Sequence, residues 1–112
     1  RLSYGGRDLY VELAAEQASL SAEKEGAKIA VEVQSFLSPS PIRDFQEAIG
    51  QYMTYRSLLA ALYPDHKLYM AVPERVHETL LSERFGQFMI TSLQLHIVVV
   101  ETQQERIIQW IA

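Results

Sequence analysis

The chain has 112 residues, of which 48% are hydrophobic and 21% charged, a balance typical of one folded domain rather than a disordered segment. It contains no cysteine, which excludes disulfides and thiolate metal sites, and no apolar run approaches the roughly 18 to 20 residues that span a bilayer. The net charge of −4 disfavours a generally basic DNA-binding surface, so a nucleic-acid contact would need a small local patch, a metal ion or a partner protein. We expect a cytoplasmic protein.

Strict alternation of apolar and polar residues predicts two strands near the start of the chain. The first covers residues 7–13 and follows a short strand at 2–4 and a Gly5-Gly6 turn. The second covers residues 28–36, after a polar connection. Because an irregular connection joins them, we expect the strands at 7–13 and 28–36 to pair antiparallel.

A long amphipathic helix is predicted to begin after Ser40 and to end near Pro64. Ser40 can cap the first turn, and Pro41 suits the first helical position, where its missing N–H costs nothing. Apolar residues then recur at spacings typical of a helix face: Ile42, Phe45, Ile49, Tyr52, Met53, Leu59 and Leu62.

The second half of the chain predicts a buried strand at 68–72, a helix at 74–85, a strand at 93–100 and a short terminal helix at 103–111. We expect the terminal helix to pack three apolar side chains on the sheet: Ile107, Ile108 and Trp110. This order implies an α/β fold with a mixed sheet, mixed because of its N-terminal hairpin, and flanked by helices.

Two carboxylates stand out on the polar faces of the two N-terminal strands. Glu12 and Glu32 would face each other if those strands pair, and facing carboxylates repel unless a cation lies between them. Two carboxylates with substrate phosphate and water form a typical magnesium environment. The alternative is that both face solvent or pair with nearby basic residues: Arg7, Lys24 or Lys28.

Three other polar residues could belong to the same site, although their spacing is less specific. Gln34 shares the strand face of Glu32, and Gln51 and Tyr55 lie one turn apart on the long helix. That helix pair could hold a phosphate or a water near the carboxylates, or could simply form a polar flank. The three histidines have no metal-ligand spacing, so we expect no zinc site.

Several segments together resemble the XisH family, the fdxN-element excision controlling factor proteins of cyanobacteria. The segments are VELAAE (11–16), AEKEG (22–26), KIAVEVQSFL (28–37), IRDFQEAIGQYMTYR (42–56), LYMAVP (68–73) and IIQW (107–110). The likeness covers nearly the whole chain, and its specificity comes from the combination of segments.

The resemblance implies a restriction-endonuclease-like fold with a PD-(D/E)XK signature. Glu12 matches the first acid of that signature, Glu32 the second, and Gln34 stands where the pattern has lysine. Gln51 and Tyr55 match a Q-x-x-x-Y motif of the RecB-like branch. The five residues are therefore the predicted catalytic set, with Glu12 and Glu32 as ligands of a weakly held Mg²⁺ that Mn²⁺ would replace.

The resemblance also implies a single nuclease-like domain over residues 1–112 that lacks the first helix of the fold, in keeping with the abrupt start at Arg1. Two functions remain open: an accessory factor in programmed DNA excision with a degenerate catalytic motif, or an active Mg²⁺-dependent endonuclease. The expected partners are DNA, a companion factor of the XisI type, a site-specific recombinase and a second copy of the chain. No membrane association is expected.

Overall fold

The computed structural model describes residues 2–4, 7–9, 28–101, 103–104 and 106–111. Strands β1 (Leu2–Tyr4) and β2 (Arg7–Leu9) form an antiparallel pair. A separate four-stranded sheet has the order β3-β4-β5-β6. Its strands are β3 (Lys28–Val33), β4 (His66–Pro73), β5 (Ile97–Glu101) and β6 (Arg106–Ile111).

The larger sheet is mixed, as predicted, but for a different reason. Strands β3, β4 and β5 are parallel, and β6 returns antiparallel to β5, so the C-terminal hairpin introduces the change of direction. The expected antiparallel pairing of residues 7–13 with 28–36 is not found for residues 7–9, since β2 pairs with β1 and β3 pairs with β4. Residues 10–13 lie outside the described part of the chain.

Helix α1 (Pro41–Leu62) confirms the predicted long helix and supplies the crossover that parallel strands require. The Ser40 hydroxyl accepts a hydrogen bond from the Arg43 N–H, and Pro41 is the first helical residue. The helix buries four side chains against the sheet: Phe45, Ala48, Tyr52 and Leu59. Within the described residues, no helix is both long and apolar enough to cross a bilayer.

The predicted single helix at 74–85 is wrong. The chain forms α2 (Glu74–Glu78), a 3-10 turn (Leu80–Ser82) and α3 (Arg84–Leu93). Hydroxyl groups favour the break, because Thr79 and Ser82 donate to backbone carbonyls of the preceding turn. The next strand also begins later than predicted: Gln94 adopts a left-handed conformation with φ 53° that ends α3.

The predicted C-terminal helix is also wrong, because residues 106–111 form strand β6. The register shifts from Val99 opposite Gln109 to Val100 opposite Ile107, which leaves Ile108 as the extra residue of a β-bulge. The bulge brings Ile107 and Trp110 to the same sheet face, where both pack on one cluster. A three-residue spacing that is typical of a helix is here produced by a bulged strand.

Both faces of the larger sheet are buried. One face carries Ala30, Leu68, Met70, Ile97 and Val99 and packs against the helices, forming the main core. The other face carries a smaller buried cluster of Ile29, Val31, Tyr69, Ala71 and Val98. Since Glu32 alternates with Val31 along β3, its side chain lies on the face that α1 covers.

Candidate functional site

Strand β3 places Glu32 and Gln34 at the carboxyl end of the parallel strands. Glu32 lies beside Met70 in the ladder, and the Gln34 N–H donates to the Ala71 carbonyl oxygen at 2.9 Å, so the pairing continues past the end of β3. This edge is where ligands bind in many sheets built from parallel strands. The two side chains point toward α1, as their shared strand face requires.

A hydrogen bond joins this strand end to the helix above it. The Gln34 side-chain amide donates to the Gln51 Oε1 atom at 2.9 Å. Gln51 is exposed on α1, six residues after Phe45, and Gln34 is half-buried. The structure thus brings together two predicted residues that stand 17 positions apart in the chain. Gln34 comes from the predicted strand motif and Gln51 from the predicted helix motif.

Glu32 is the one charged residue that is buried among the described residues, with 3% of its surface exposed. This excludes the interpretation of Glu32 as a solvent-facing residue of a polar strand. An ionised carboxylate is expensive to bury, so its position beneath α1 is stable only with compensating polar or charged groups. Arg7, Lys24 and Lys28, the basic residues weighed as partners, have side chains outside the described part of the chain.

Tyr55 lies close enough to Glu32 to sense its charge. Burial raises the pKa of the Tyr55 phenol, and the negative charge of Glu32 raises that pKa further. Tyr55 therefore remains a protonated hydrogen-bond donor at neutral pH. Glu32, Gln34, Gln51 and Tyr55 form one cluster between the end of β3 and the middle of α1.

Tyr52 fixes the height of α1 over the sheet, and sequence reasoning assigned it only to the core. Its buried hydroxyl donates to the Leu68 carbonyl oxygen at 3.1 Å and accepts from the His96 N–H at 3.1 Å. Burial raises the pKa of the Tyr52 phenol, although the hydrogen bond from His96 and the nearby Arg56 charge oppose this. The helix is thus held to β4 and to the residue directly before β5.

Arg56 holds the same helix to the end of α3. Its Nη1 atom donates to the carbonyl oxygens of Leu93 and Gln94 at 3.2 and 3.0 Å. The guanidinium carbon lies 5.2 Å from the centre of the Tyr52 ring, within the range of cation–π attraction. Arg56 thus holds the helix that carries Gln51 and Tyr55.

Sequence reasoning also missed Arg75. From α2, its Nη2 atom donates to the carbonyl oxygens of Ser35 and Phe36 at 2.7 and 2.9 Å. Phe36 has φ 55°, a left-handed conformation that is costly for a bulky side chain. Arg75 therefore stabilises the sharp turn that directly follows Gln34. No spacing in the sequence links these residues, which are about 40 positions apart.

Glu12, the other predicted metal ligand, lies outside the described residues. In the described part of the chain, no group of three or more His, Asp or Glu side chains is placed to hold a metal ion. Among the residues that the structure describes, Glu32 alone contributes a buried carboxylate, and Mg²⁺ prefers oxygen ligands of which one or two are carboxylates. The described residues therefore offer one suitable Mg²⁺ ligand, Glu32. The other ligands, including Glu12, remain a prediction.

Comparison with known proteins gives consistent results. A family model described as XisH protein matches residues 1–108. The crystal structure of an XisH family protein from Nostoc punctiforme PCC 73102 is 38% identical, with a TM-score of 0.83, over 99% of this chain and 81% of that chain. A fdxN element excision controlling factor protein from Anabaena variabilis is also 38% identical, with a TM-score of 0.82 and the same coverage. No curated protein matches the chain. The chain therefore belongs to the XisH family.

Proposed function

We propose that this chain is an excision controlling factor, an accessory protein in programmed site-specific DNA excision. In this proposal the fold derives from restriction-endonuclease-like enzymes, and its catalytic motif is degenerate. The observation that carries the proposal is the hydrogen bond of 2.9 Å between the Gln34 and Gln51 amides, beside buried Glu32. A neutral amide bound to a second amide occupies the position where the superfamily pattern has a lysine.

The electrostatics of phosphodiester cleavage explain why this difference matters. Attack on a phosphate gathers negative charge on the phosphoryl oxygens, and enzymes stabilise it with cationic side chains or metal ions. Gln34 can orient a water molecule but cannot offset that charge, and one of its donors is already directed to Gln51. A site of this kind retains the shape of a nuclease site without its strongest stabilising group.

The relatives support the biological part of the proposal. The Anabaena variabilis protein with 38% identity is named a fdxN element excision controlling factor. By extension, this chain would act with a site-specific recombinase and with a companion factor of the XisI type. The net charge of −4 agrees with DNA contact made through such partners rather than through a broad basic surface.

A second function is favoured by a different observation. Glu32 is 3% exposed and raises the pKa of Tyr55, so a buried carboxylate and a phenol lie near each other. Such an arrangement suits a metal ligand with a neighbouring hydrogen-bond donor. The second candidate is therefore a Mg²⁺-dependent DNA endonuclease in which another group supplies the positive charge.

The two candidates differ in whether wild-type protein cuts DNA through Glu32. Supercoiled plasmid, linear duplex and single-stranded DNA would be incubated with Mn²⁺ and either wild type or Glu32→Gln. The accessory proposal predicts no difference between the two proteins, together with tight calorimetric binding of a purified XisI-type companion. Cleavage that wild type performs and Glu32→Gln lacks would reject it in favour of the endonuclease.

A further inference from the structure

A cleft lies between the last two turns of α1 and the amino ends of β4 and β5. Its volume is about 360 Å³, at the lower end of the roughly 300 to 1,000 Å³ that is typical of ligand-binding pockets. Arg56 lines it from the helix, residues 64–68 from the start of β4 and the turn before it, and His96 from the position before β5. We call it the Arg56 cleft.

The Arg56 cleft is separate from the cluster around Glu32. Glu32 pairs beside Met70, whereas the cleft begins at His66, four residues earlier on β4. Four residues of an extended strand span roughly 13 Å. The two features therefore lie toward opposite ends of the same parallel strands.

Arg56 brings a positive charge to this cleft that its contacts do not balance. Its Nη1 atom donates to the Leu93 and Gln94 carbonyl oxygens, and its Nη2 atom donates to the Met53 sulfur at 3.0 Å. The guanidinium also lies over the Tyr52 ring and lowers the pKa of that phenol, against the effect of burial. All of these groups are neutral, so they hold the guanidinium in place without offsetting its charge.

The other polar side chains of the cleft add a second cation, two imidazoles and one carboxylate. Lys67 is the second cation, with its ammonium 5.7 Å from the centre of the Tyr69 ring. Among the described residues that line the cleft, Asp65 is the only acid, and its carboxylate lies 3.1 Å from the His66 Nδ1 atom. Two cations against one carboxylate leave a local excess of positive charge in a chain whose net charge is −4.

The apolar wall of the cleft strengthens the attraction of an anion to these charges. Leu59 and Leu68 line the cleft and are 4% and 2% exposed, as part of the main core. Charges beside such a wall are screened less than charges on an open surface. Alternation along β4 directs His66 and Lys67 to opposite faces, so donors reach this end of the sheet from both sides. A phosphate group, with three strong acceptor oxygens, suits donors from several directions better than a planar carboxylate does.

We propose that the Arg56 cleft binds a phosphate group, either free or as part of a nucleic acid strand. Arg56 and Lys67 supply the positive charge, and the imidazoles of His66 and His96 supply further hydrogen-bond donors. A local site of this kind lets an acidic chain contact a phosphate without a broad basic surface. The proposal stands on the lining of this cleft, so it is independent of the function proposed for the Glu32 cluster.

Two titrations of the full chain would test the proposal: calorimetry with inorganic phosphate at an ionic strength fixed by sodium chloride, and fluorescence anisotropy with a labelled DNA duplex. Lys67→Gln and Arg56→Gln should each weaken binding at least about fivefold, because each removes a charge-assisted contact. Circular dichroism would show whether each variant is folded, and Lys67→Gln decides the test if Arg56→Gln unfolds.

Asp65→Asn should have the opposite effect, a gain that unfolding does not produce. It removes the carboxylate that lines the cleft and should tighten binding about two- to fivefold. Glu47→Gln is the matched control, because it changes the net charge equally but lies on α1 at an exposed position outside the cleft lining. Its affinity should equal that of wild type.

The two titrations also identify the source of the phosphate. Duplex binding that depends on Lys67 and Asp65 assigns the site to a nucleic acid strand, whereas binding of inorganic phosphate alone assigns it to a free phosphate. The proposal is overturned if wild type binds neither ligand. It is equally overturned if Lys67→Gln leaves both affinities unchanged while Asp65→Asn and Glu47→Gln act alike.

Discussion

Tyr52 is one side chain on which the position of the site helix depends. Its hydroxyl joins Leu68 of β4 to the backbone of His96. Tyr52→Phe would keep the ring and remove both hydrogen bonds, leaving the His96 N–H without this acceptor. We expect a loss of about 1 to 3 kcal/mol in the free energy of unfolding, measured by urea denaturation.

The control for this substitution is Tyr63→Phe. Tyr63 lies just beyond the end of α1 and is 49% exposed, so removing its hydroxyl should change the free energy of unfolding by less than about 0.5 kcal/mol. Equal effects of the two substitutions would show that the Tyr52 hydroxyl does not hold the helix.

Tyr55 predicts a dependence of stability on pH. The pKa of its phenol is raised in the folded protein above the ordinary tyrosine value of 10.0, by burial and then by the charge of Glu32. The folded state therefore keeps this proton at a pH where the unfolded state releases it. The resulting stability is fully present below pH 10 and is lost as the pH rises through the folded pKa.

A titration of tyrosinate absorbance, taken as the difference between wild type and Tyr55→Phe, would report this group. Glu32→Gln should lower the pKa of Tyr55, while the effect of burial should keep it above 10.0. A Tyr55 pKa unchanged by Glu32→Gln would contradict the proximity of the two side chains. Burial also raises the pKa of the Tyr52 phenol. The unfolding free energy of the Tyr55→Phe protein should therefore still decrease at high pH.

At the scale of elements, the break between α2 and α3 depends on a glycine. A Cβ atom added at Gly86 would overlap the Leu80 carbonyl oxygen and lie 2.6 Å from the Leu81 Cα, both of them backbone atoms that cannot easily move. Gly86→Ala should therefore destabilise the protein by about 1 to 3 kcal/mol, although alanine is the better helix former.

Gly50 provides the opposite case within α1. A Cβ atom there would meet nothing within 4 Å, so Gly50→Ala should stabilise the protein by about 0.5 to 1 kcal/mol through helix propensity alone. Thermal unfolding of both variants would measure this contrast. A Gly86→Ala protein as stable as wild type would mean that α3 can move away from the 3-10 turn.

The elements that sequence patterns predicted well are those whose local signals agree. Ser40 and Pro41 mark the start of α1, and the apolar spacing of the helix continues to its observed end. The prediction failed for β6 because a bulge at Ile108 gives a strand the spacing of a helix. It failed between α2 and α3 because the apolar spacing of residues 74–85 does not reveal the close approach of Gly86 to Leu80 or the hydrogen bonds from Thr79 and Ser82 to the preceding turn.

At the scale of the whole molecule, the sheet was correctly predicted to be mixed. The prediction placed the antiparallel pair at the N-terminus, whereas the structure has it between β5 and β6. Pairing partners depend on crossovers, and α1 makes β3 parallel to β4. Strand parity predicts that Glu32 and Gln34 share a strand face, and helical spacing predicts that Gln51 and Tyr55 share a side of α1. Only the family resemblance suggested that these two surfaces meet, and Glu12, the fifth predicted residue, lies outside the described residues. Arg75 could not be found in this way, because a contact between distant elements leaves no periodic pattern.

We propose that a nuclease-type frame persists around Glu32 and that position 34 lacks only a positive charge. The most direct measurement is the Mn²⁺-dependent DNA cleavage rate of Gln34→Lys beside wild type. We predict a rate one to three orders of magnitude above wild type, or about 1.4 to 4 kcal/mol of transition-state stabilisation, and no gain in Gln34→Lys/Glu32→Gln. A Gln34→Lys rate equal to that of wild type, whether both are fast or both absent, would contradict the claim.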